Sequence, residues 1–148
     1  MNKQDLIAPE TYNIVSEIEK FTVDQSKKAV IFENETGENR EITYTNLIKN
    51  ANKVGNMFLK YGFKKGDKVL VMMPRCIETY EVYLAALKLG IIIIPSSEML
   101  RTKDLQYRIT HGEVKGIVVI GGDGTLHEVV NGLHLRHLPI SFIPAGSG

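Results

Sequence analysis

Apolar and polar positions along the chain switch repeatedly between a helical and an extended period. Ile14, Val15, Ile18 and Phe21 fall at helical spacing within residues 8–22, which predicts a short amphipathic helix. Lys28–Phe32 reads as a strand, the polar run Glu33–Asn39 as a turn, and Glu41–Tyr44 as returning strand; together they predict a hairpin. Leu47, Ala51, Val54 and Phe58 follow at i, i+4, i+7 and i+11 with lysines and asparagines between them, marking the clearest helix, which Gly62 ends. The turn Phe63–Asp67 leads into a strand over Lys68–Met73 that Pro74 stops. Ile77, Tyr80, Leu84 and Leu87 mark a helix closed by Gly90. Ile91–Ile94 is a short continuous apolar run, the pattern of a strand buried on both faces. Thr102 is placed to N-cap a helix with Leu105 and Ile109 inward and Gly112 at its end. Ile117–Ile120 is again an apolar strand, and Thr125 opens a last helix, with Pro139 beyond it.

From Thr43 onward helix and strand alternate. That order predicts an α/β fold: a mostly parallel sheet with helices on both faces, preceded by an N-terminal β-hairpin. At 148 residues the chain is long enough for one real core and too short for two full domains. Its 43% hydrophobic and 24% charged residues and net charge of +1 are those of an ordinary soluble protein, and near neutrality argues against nucleic acid or an anionic membrane as partner. The single cysteine, Cys76, forms no intrachain disulfide, which fits a reducing compartment. No apolar run approaches the length of a membrane span, and the polar start MNKQDLIAPE does not read as a signal peptide. A cytoplasmic protein without stable membrane insertion is the expectation.

One stretch carries recognisable chemistry. The strand ending at Ile120 runs into Gly121-Gly122-Asp123-Gly124 and then Thr125. Strand, glycine turn and helix start present free backbone N–H groups to a phosphate. Adjacent glycines permit positive φ and bring backbone close to an anion with no Cβ in the way. Thr125 and Glu128 have the T-x-x-E spacing of a capping box, and Asp123 is placed to orient loop amides or hold a Mg²⁺-bound water. His127, His134 and His137 lack a cysteine or carboxylate to complete a shell, so no metal site is expected. Cys76 has no histidine near it in sequence, and no catalytic residue is assigned.

Residues 1 to about 118 resemble the opening of the adenylate-forming acyl-CoA synthetases. The resemblance rests on Ile42-Thr43-Tyr44 with Leu47, on Gly62–Val69 (GFKKGDKV), on Tyr83–Gly90 (YLAALKLG), on Pro95 after the short strand, and on Met99–Arg108 (MLRTKDLQYR), which is similar to the acetyl- and medium-chain branch. In that family this region is scaffold; the phosphate loop, the adenine-contacting motif, the ribose-binding Asp and the C-terminal Lys lie further along. The resemblance implies ATP as cofactor for the family and no ligase activity for this stretch alone.

From about Gly116 to Gly148 the chain resembles the diacylglycerol-kinase-type lipid kinases. This second resemblance is carried by Gly121-Gly122-Asp123-Gly124-Thr125, by Glu128–Leu133 (EVVNGL) and by Ile143–Gly148 (IPAGSG). It implies an ATP- and Mg²⁺-dependent phosphoryl transfer and a nucleotide-binding set of Gly121, Gly122, Asp123, Gly124, Thr125, His127 and Ser147. At His127 the family usually carries Asn, and Ser147 stands in its second glycine turn. The two resemblances meet within Glu113–Ile120, so the expectation is a hybrid chain of two incomplete domains, 1–118 and 116–148. Its function would be an incomplete lipid-kinase ATP module on a synthetase-like scaffold, inactive alone, with a nucleotide as partner and self-association through uncovered surface. The alternatives are a truncated AMP-forming acyl-CoA synthetase and a fusion product with no function.

Overall fold

A computed structural model describes residues 7–134 and 136–144. The hairpin forms as its pattern predicts: β1 (Lys28–Glu33) pairs antiparallel with β2 (Asn39–Thr43) around the Asn34–Glu38 turn. Asn34 organises that turn, its Oδ1 accepting from the amides of Thr36 and Glu38 at 3.1 and 2.8 Å. Ahead of it the chain makes only a short helix, α1 (Ile14–Glu19), and a single 3-10 turn, Lys20–Val23. The longer helix expected over 8–22 is cut at its start by Asn13, whose Oδ1 accepts from the Val15 amide at 3.0 Å and fixes the first turn there. Val15 alone of the four marked positions is fully buried. Phe21 instead lies over Tyr44, ring centroids 5.0 Å apart.

Four parallel strands form the main sheet in the order β4-β3-β5-β6. They are β3 (Lys68–Met72), β4 (Ile92–Ser96), β5 (Gly116–Gly121) and β6 (Ile140–Pro144). The connecting helices are α2 (Tyr44–Lys60) ahead of β3, α3 (Ile77–Leu89), α4 (Thr102–His111) and α5 (Asp123–Gly132). Alternation along β3 sends Val69 and Val71 to one face and Leu70 and Met72 to the other, all at most 2% exposed. Val69 and Val71 meet Phe58 of α2 and Val82, Ala85 and Ala86 of α3. Leu70 and Met72 meet Leu105 and Ile109 of α4 and Val129 of α5. The mostly parallel sheet with helices on both faces is therefore present.

The faces follow from topology. β3 to β4 runs toward one edge, whereas β4 to β5 and β5 to β6 run the opposite way across the sheet. Crossovers of one hand place their helices on opposite faces when the direction reverses, so α3 lies on one face and α4 and α5 on the other.

Two sequence expectations change here. The Ile91–Ile94 run does not become a strand buried on both faces. The strand is shifted to Ile92–Ser96 and stands at the sheet edge, with Ile92 48% exposed. A short apolar run has the same signature in either place, and the reversal after β3 decides which it is. On α3, Ile77 and Leu84 are buried, but Tyr80 and Leu87 face solvent. The buried arc turns the other way, through Ala85, Val82 and Ala86, because the helix must lie close to the sheet as well as against α2.

Polar ties lock the layers. Lys115 Nζ, at the entry to β5, donates to the Gly62 carbonyl and to Asp67 Oδ2, each at 2.5 Å. Arg40 of β2 pairs with Glu78 of α3 at 2.5 Å. Lys88 of α3 reaches Glu19 and Asn52 at 2.5 and 2.9 Å. Among the described residues no helix is long and apolar enough to cross a membrane.

Candidate functional site

All four strands of the sheet end at the same rim. The chain leaves β3 for a helix on one face and leaves its neighbour β5 for a helix on the other, so the turns after these two strands diverge. That is the switch point of an open parallel sheet, the place where such folds bind ligands. Its walls are the turn Met73–Cys76 and the turn Gly121–Gly122.

The glycine turn is a direct passage from strand to helix. Gly122 is extended at φ −85° and ψ −175°, and Asp123 begins α5. The first intrahelical bond is Leu126 N–H to the Gly122 carbonyl at 3.1 Å. The amides of Asp123, Gly124 and Thr125 therefore have no partner within the helix, and no side chain caps Gly122. Gly121 is needed for close approach: a Cβ there would lie 2.6 Å from Thr125 Cβ and Oγ1. Gly122 and Gly124 face open space, with no atom within 4 Å of a Cβ added to either. Among the described residues the positive-φ glycines are Gly37, Gly62, Gly66 and Gly90. The turn glycines thus serve closeness and access, and the positive φ that they permit is not used.

The T-x-x-E capping box is corrected. Helix α5 begins two residues before Thr125, so Thr125 is already inside the first turn and packs on Gly121. Glu128 reaches across to α4 instead. Its Oε2 accepts from the Thr102 amide at 2.7 Å and the Thr102 hydroxyl at 2.6 Å, and Oε1 lies 3.5 Å from Arg101 Nη1. The Thr102 side-chain and backbone hydrogen bonds hold the Glu128 carboxyl below its usual range, with Arg101 adding to the effect. Thr102, expected as the N-cap of α4, is the first residue of that helix, and Arg101 occupies the cap position. Sequence reading missed this pair because both residues satisfied a local rule; the one hint was an arginine where a short polar cap residue is preferred.

The remaining site residues divide. Asp123 is exposed at the first position of α5. His127 is exposed on that helix, and its Nε2 lies 2.9 Å from Asn131 Nδ2. Ser147 lies outside the described residues. Gly121, Gly122, Asp123, Gly124 and Thr125 thus form one group and His127 stands a turn further on. Three amides at a helix start and one carboxylate suit a phosphate whose charge is shared with a cation. Among the described residues, no three His, Cys, Asp or Glu side chains converge as a metal shell.

A groove of about 580 Å³ opens elsewhere, at the far end of β5. Met57, Tyr61, Phe63, Val118 and Ser141 are among the residues lining it.

Comparison with known proteins places the chain. The family model described as "AMP-binding enzyme" matches residues 19–141, through the glycine turn and into β6. The uncharacterized acyl-CoA ligase YtcI of Bacillus subtilis (strain 168) is 51% identical over 119 residues, which are 80% of this chain and 22% of that protein. The human mitochondrial acyl-coenzyme A synthetase ACSM1 is 28% identical over 124 residues, 78% of this chain and 22% of its own length. The chain thus spans about a fifth of the length of these relatives. Among solved structures, the anthranilate CoA ligase AuaEII in complex with anthranoyl-AMP superposes with a TM-score of 0.79 at 24% identity, covering 97% of this chain and 27% of that one. An acyl-CoA synthetase of Brucella canis gives 0.78 at 23% identity, covering 97% and 26%. These two share the fold. With a family match running over most of its length, the chain belongs to the AMP-binding enzymes.

Proposed function

We propose that this chain is the opening, sheet-bearing segment of an AMP-forming acyl-CoA synthetase. The whole enzyme would use ATP and Mg²⁺ to activate a carboxylate as its acyl-adenylate and pass the acyl group to coenzyme A. In this reading the segment is scaffold: it builds the β4-β3-β5-β6 sheet and leaves ATP chemistry to the rest of the polypeptide. The observation that carries it is the family match over residues 19–141, supported by 51% identity to a bacterial acyl-CoA ligase. A cytoplasmic location belongs to the same reading, as does self-association through the face beside β6.

The test is replacement. This chain is substituted for the corresponding segment of the Bacillus subtilis ligase, and pyrophosphate release is followed with ATP, coenzyme A and a panel of carboxylates. The expected result is a soluble hybrid that forms acyl-adenylate, while the 148-residue chain alone forms none. A folded hybrid with no adenylate on any carboxylate accepted by the parent would sink the proposal.

A second reading has its own support. The uncapped start of α5 and the open positions at Gly122 and Gly124 favour a phosphate cradle over Gly121–Thr125, of the lipid-kinase type that the GGDGT run resembles. The amides of Asp123, Gly124 and Thr125 would hold the phosphate, and Asp123 would share a Mg²⁺ with it. In a complete kinase the γ-phosphoryl of ATP passes to a lipid hydroxyl. Calorimetric titration with Mg·ATP decides: binding abolished by Asp123→Ala supports this reading, and no heat at millimolar ATP removes it.

A further inference from the structure

The contact between α4 and α5 has a construction that neither helix needs for its own stability. At the start of α4 Arg101 stands at the N-cap position, where Ser, Thr, Asp and Asn are preferred, and its amide donates within the helix to Asp104 Oδ2 at 3.4 Å. The amide of Thr102, the first of the helix itself, is taken by Glu128, a residue of a different helix. The same carboxylate oxygen takes the Thr102 hydroxyl, so one side chain of α5 closes the donor of the first residue of α4, one of the orphan amides of a helix start. About one turn further along, the helices touch backbone to side chain: a Cβ on Gly132 would lie 2.8 Å from Leu105 Cβ. Beside these contacts Val129 and Leu105, both at 0% exposure, are buried in the same cluster. The first half of α4 is thus held to α5 by a charge-assisted hydrogen bond, a dry contact and a close approach that only glycine permits.

We propose that Glu128 is a latch that makes α4 and α5 open as a single unit, and with them the two turns they carry at the strand-end rim, Ser97–Arg101 and Gly121–Gly122. Release of the carboxylate leaves the Thr102 amide and hydroxyl at the head of α4 without their partner and α5 without its tie to that helix, so the two helices lose protection together. The helices on the other face, α2 and α3, belong to a separate cluster and keep theirs.

Native-state amide hydrogen exchange of the full chain at neutral pH tests this. In Glu128→Ala, amides of both α4 and α5 are expected to exchange faster by a common factor, on the order of tenfold, with α2 and α3 unchanged. Thr102→Val, which removes only the hydroxyl donor and is a milder change, keeps the test valid if Glu128→Ala fails to fold. It alters α4 alone, and the expected outcome is faster exchange in α5 as well. Acceleration confined to the helix that carries the substitution, or no acceleration in either, overturns the proposal.

Discussion

Asp67 shows how one residue can tie the turn before a strand to the strand beside it. Its carboxylate accepts from the Lys64 amide at 2.6 Å and from Lys115 Nζ at 2.5 Å. The Lys115 hydrogen bond, then the Lys64 amide, hold its carboxyl below the ordinary aspartate range. A depressed folded-state value means that the stabilisation is fully present above the unfolded-state pKa and is lost as pH falls through the folded one. Lys115→Met is therefore expected to lower stability at pH 7, and the gap to the parent should close as the pH is taken below the usual carboxylate range. Urea unfolding at several pH values reads this directly; a gap independent of pH would assign the loss to the lysine's packing over Phe63, whose ring centroid is 5.4 Å from Nζ, and not to the ion pair. Single residues were the least legible scale from sequence. Glu128 stood three residues after Thr125 and satisfied a familiar motif, yet its partner Thr102 is 26 positions away. Spacing along the chain carries no information about which of two threonines a carboxylate will meet.

At the scale of elements, helix α2 and the hairpin were legible apart from their shared border: β2 runs Asn39–Thr43, and Tyr44, expected in the strand, begins α2. Leu47, Ala51 and Phe58 are buried as their spacing requires, and Gly62 takes the left-handed conformation at φ 74° that follows the helix. Legibility failed where tertiary packing chose between equivalent local patterns, as in α3, whose small residues Ala85 and Ala86 face the sheet while Leu87 does not. The helix pair on the opposite face depends on a few large side chains. Leu105 is wholly buried among Leu70, Ile109 and Val129, so Leu105→Ala removes transfer energy and leaves a cavity. The expected cost is about 2–5 kcal/mol, read as a fall in Tm of roughly 2–4 °C for each kcal/mol in a domain of this size. Leu87→Ala, at an exposed position of α3, should stay within about 0.5 kcal/mol, and an equal loss at both sites would contradict the assignment of faces.

For the whole molecule, α/β alternation in the sequence was enough to predict the sheet and its covered faces, whereas the strand order was not readable, since no local signal records a reversal of direction. The same order decides what is left open. β6 is hydrogen-bonded to β5 on one side only, at the sheet edge, and Ile143 on it is 40% exposed. An apolar edge next to a groove is a surface that invites another strand or another copy. Gel filtration over a hundredfold range of concentration is expected to show a shift toward larger species, and Ile143→Lys to suppress it; a single concentration-independent monomer would count against self-association.

The central strand also sets an order of events. β3 takes its partners from both sides, Val69 pairing with Ile93 in β4 and with Gly116 in β5. The nearer partner arrives after one helix, the farther only after a second helix has been laid on the opposite face. A polypeptide emerging from the ribosome can close β3–α3–β4 first; the Leu70–Met72 face then waits for α4 and α5, and one edge of β3 stands uncovered until Gly116–Gly121 follows. Closing that longer loop is the entropically expensive step, so the rate of reaching this fold should be set by the docking of β5, and a partly synthesised chain ending before it would be the species most in need of a chaperone.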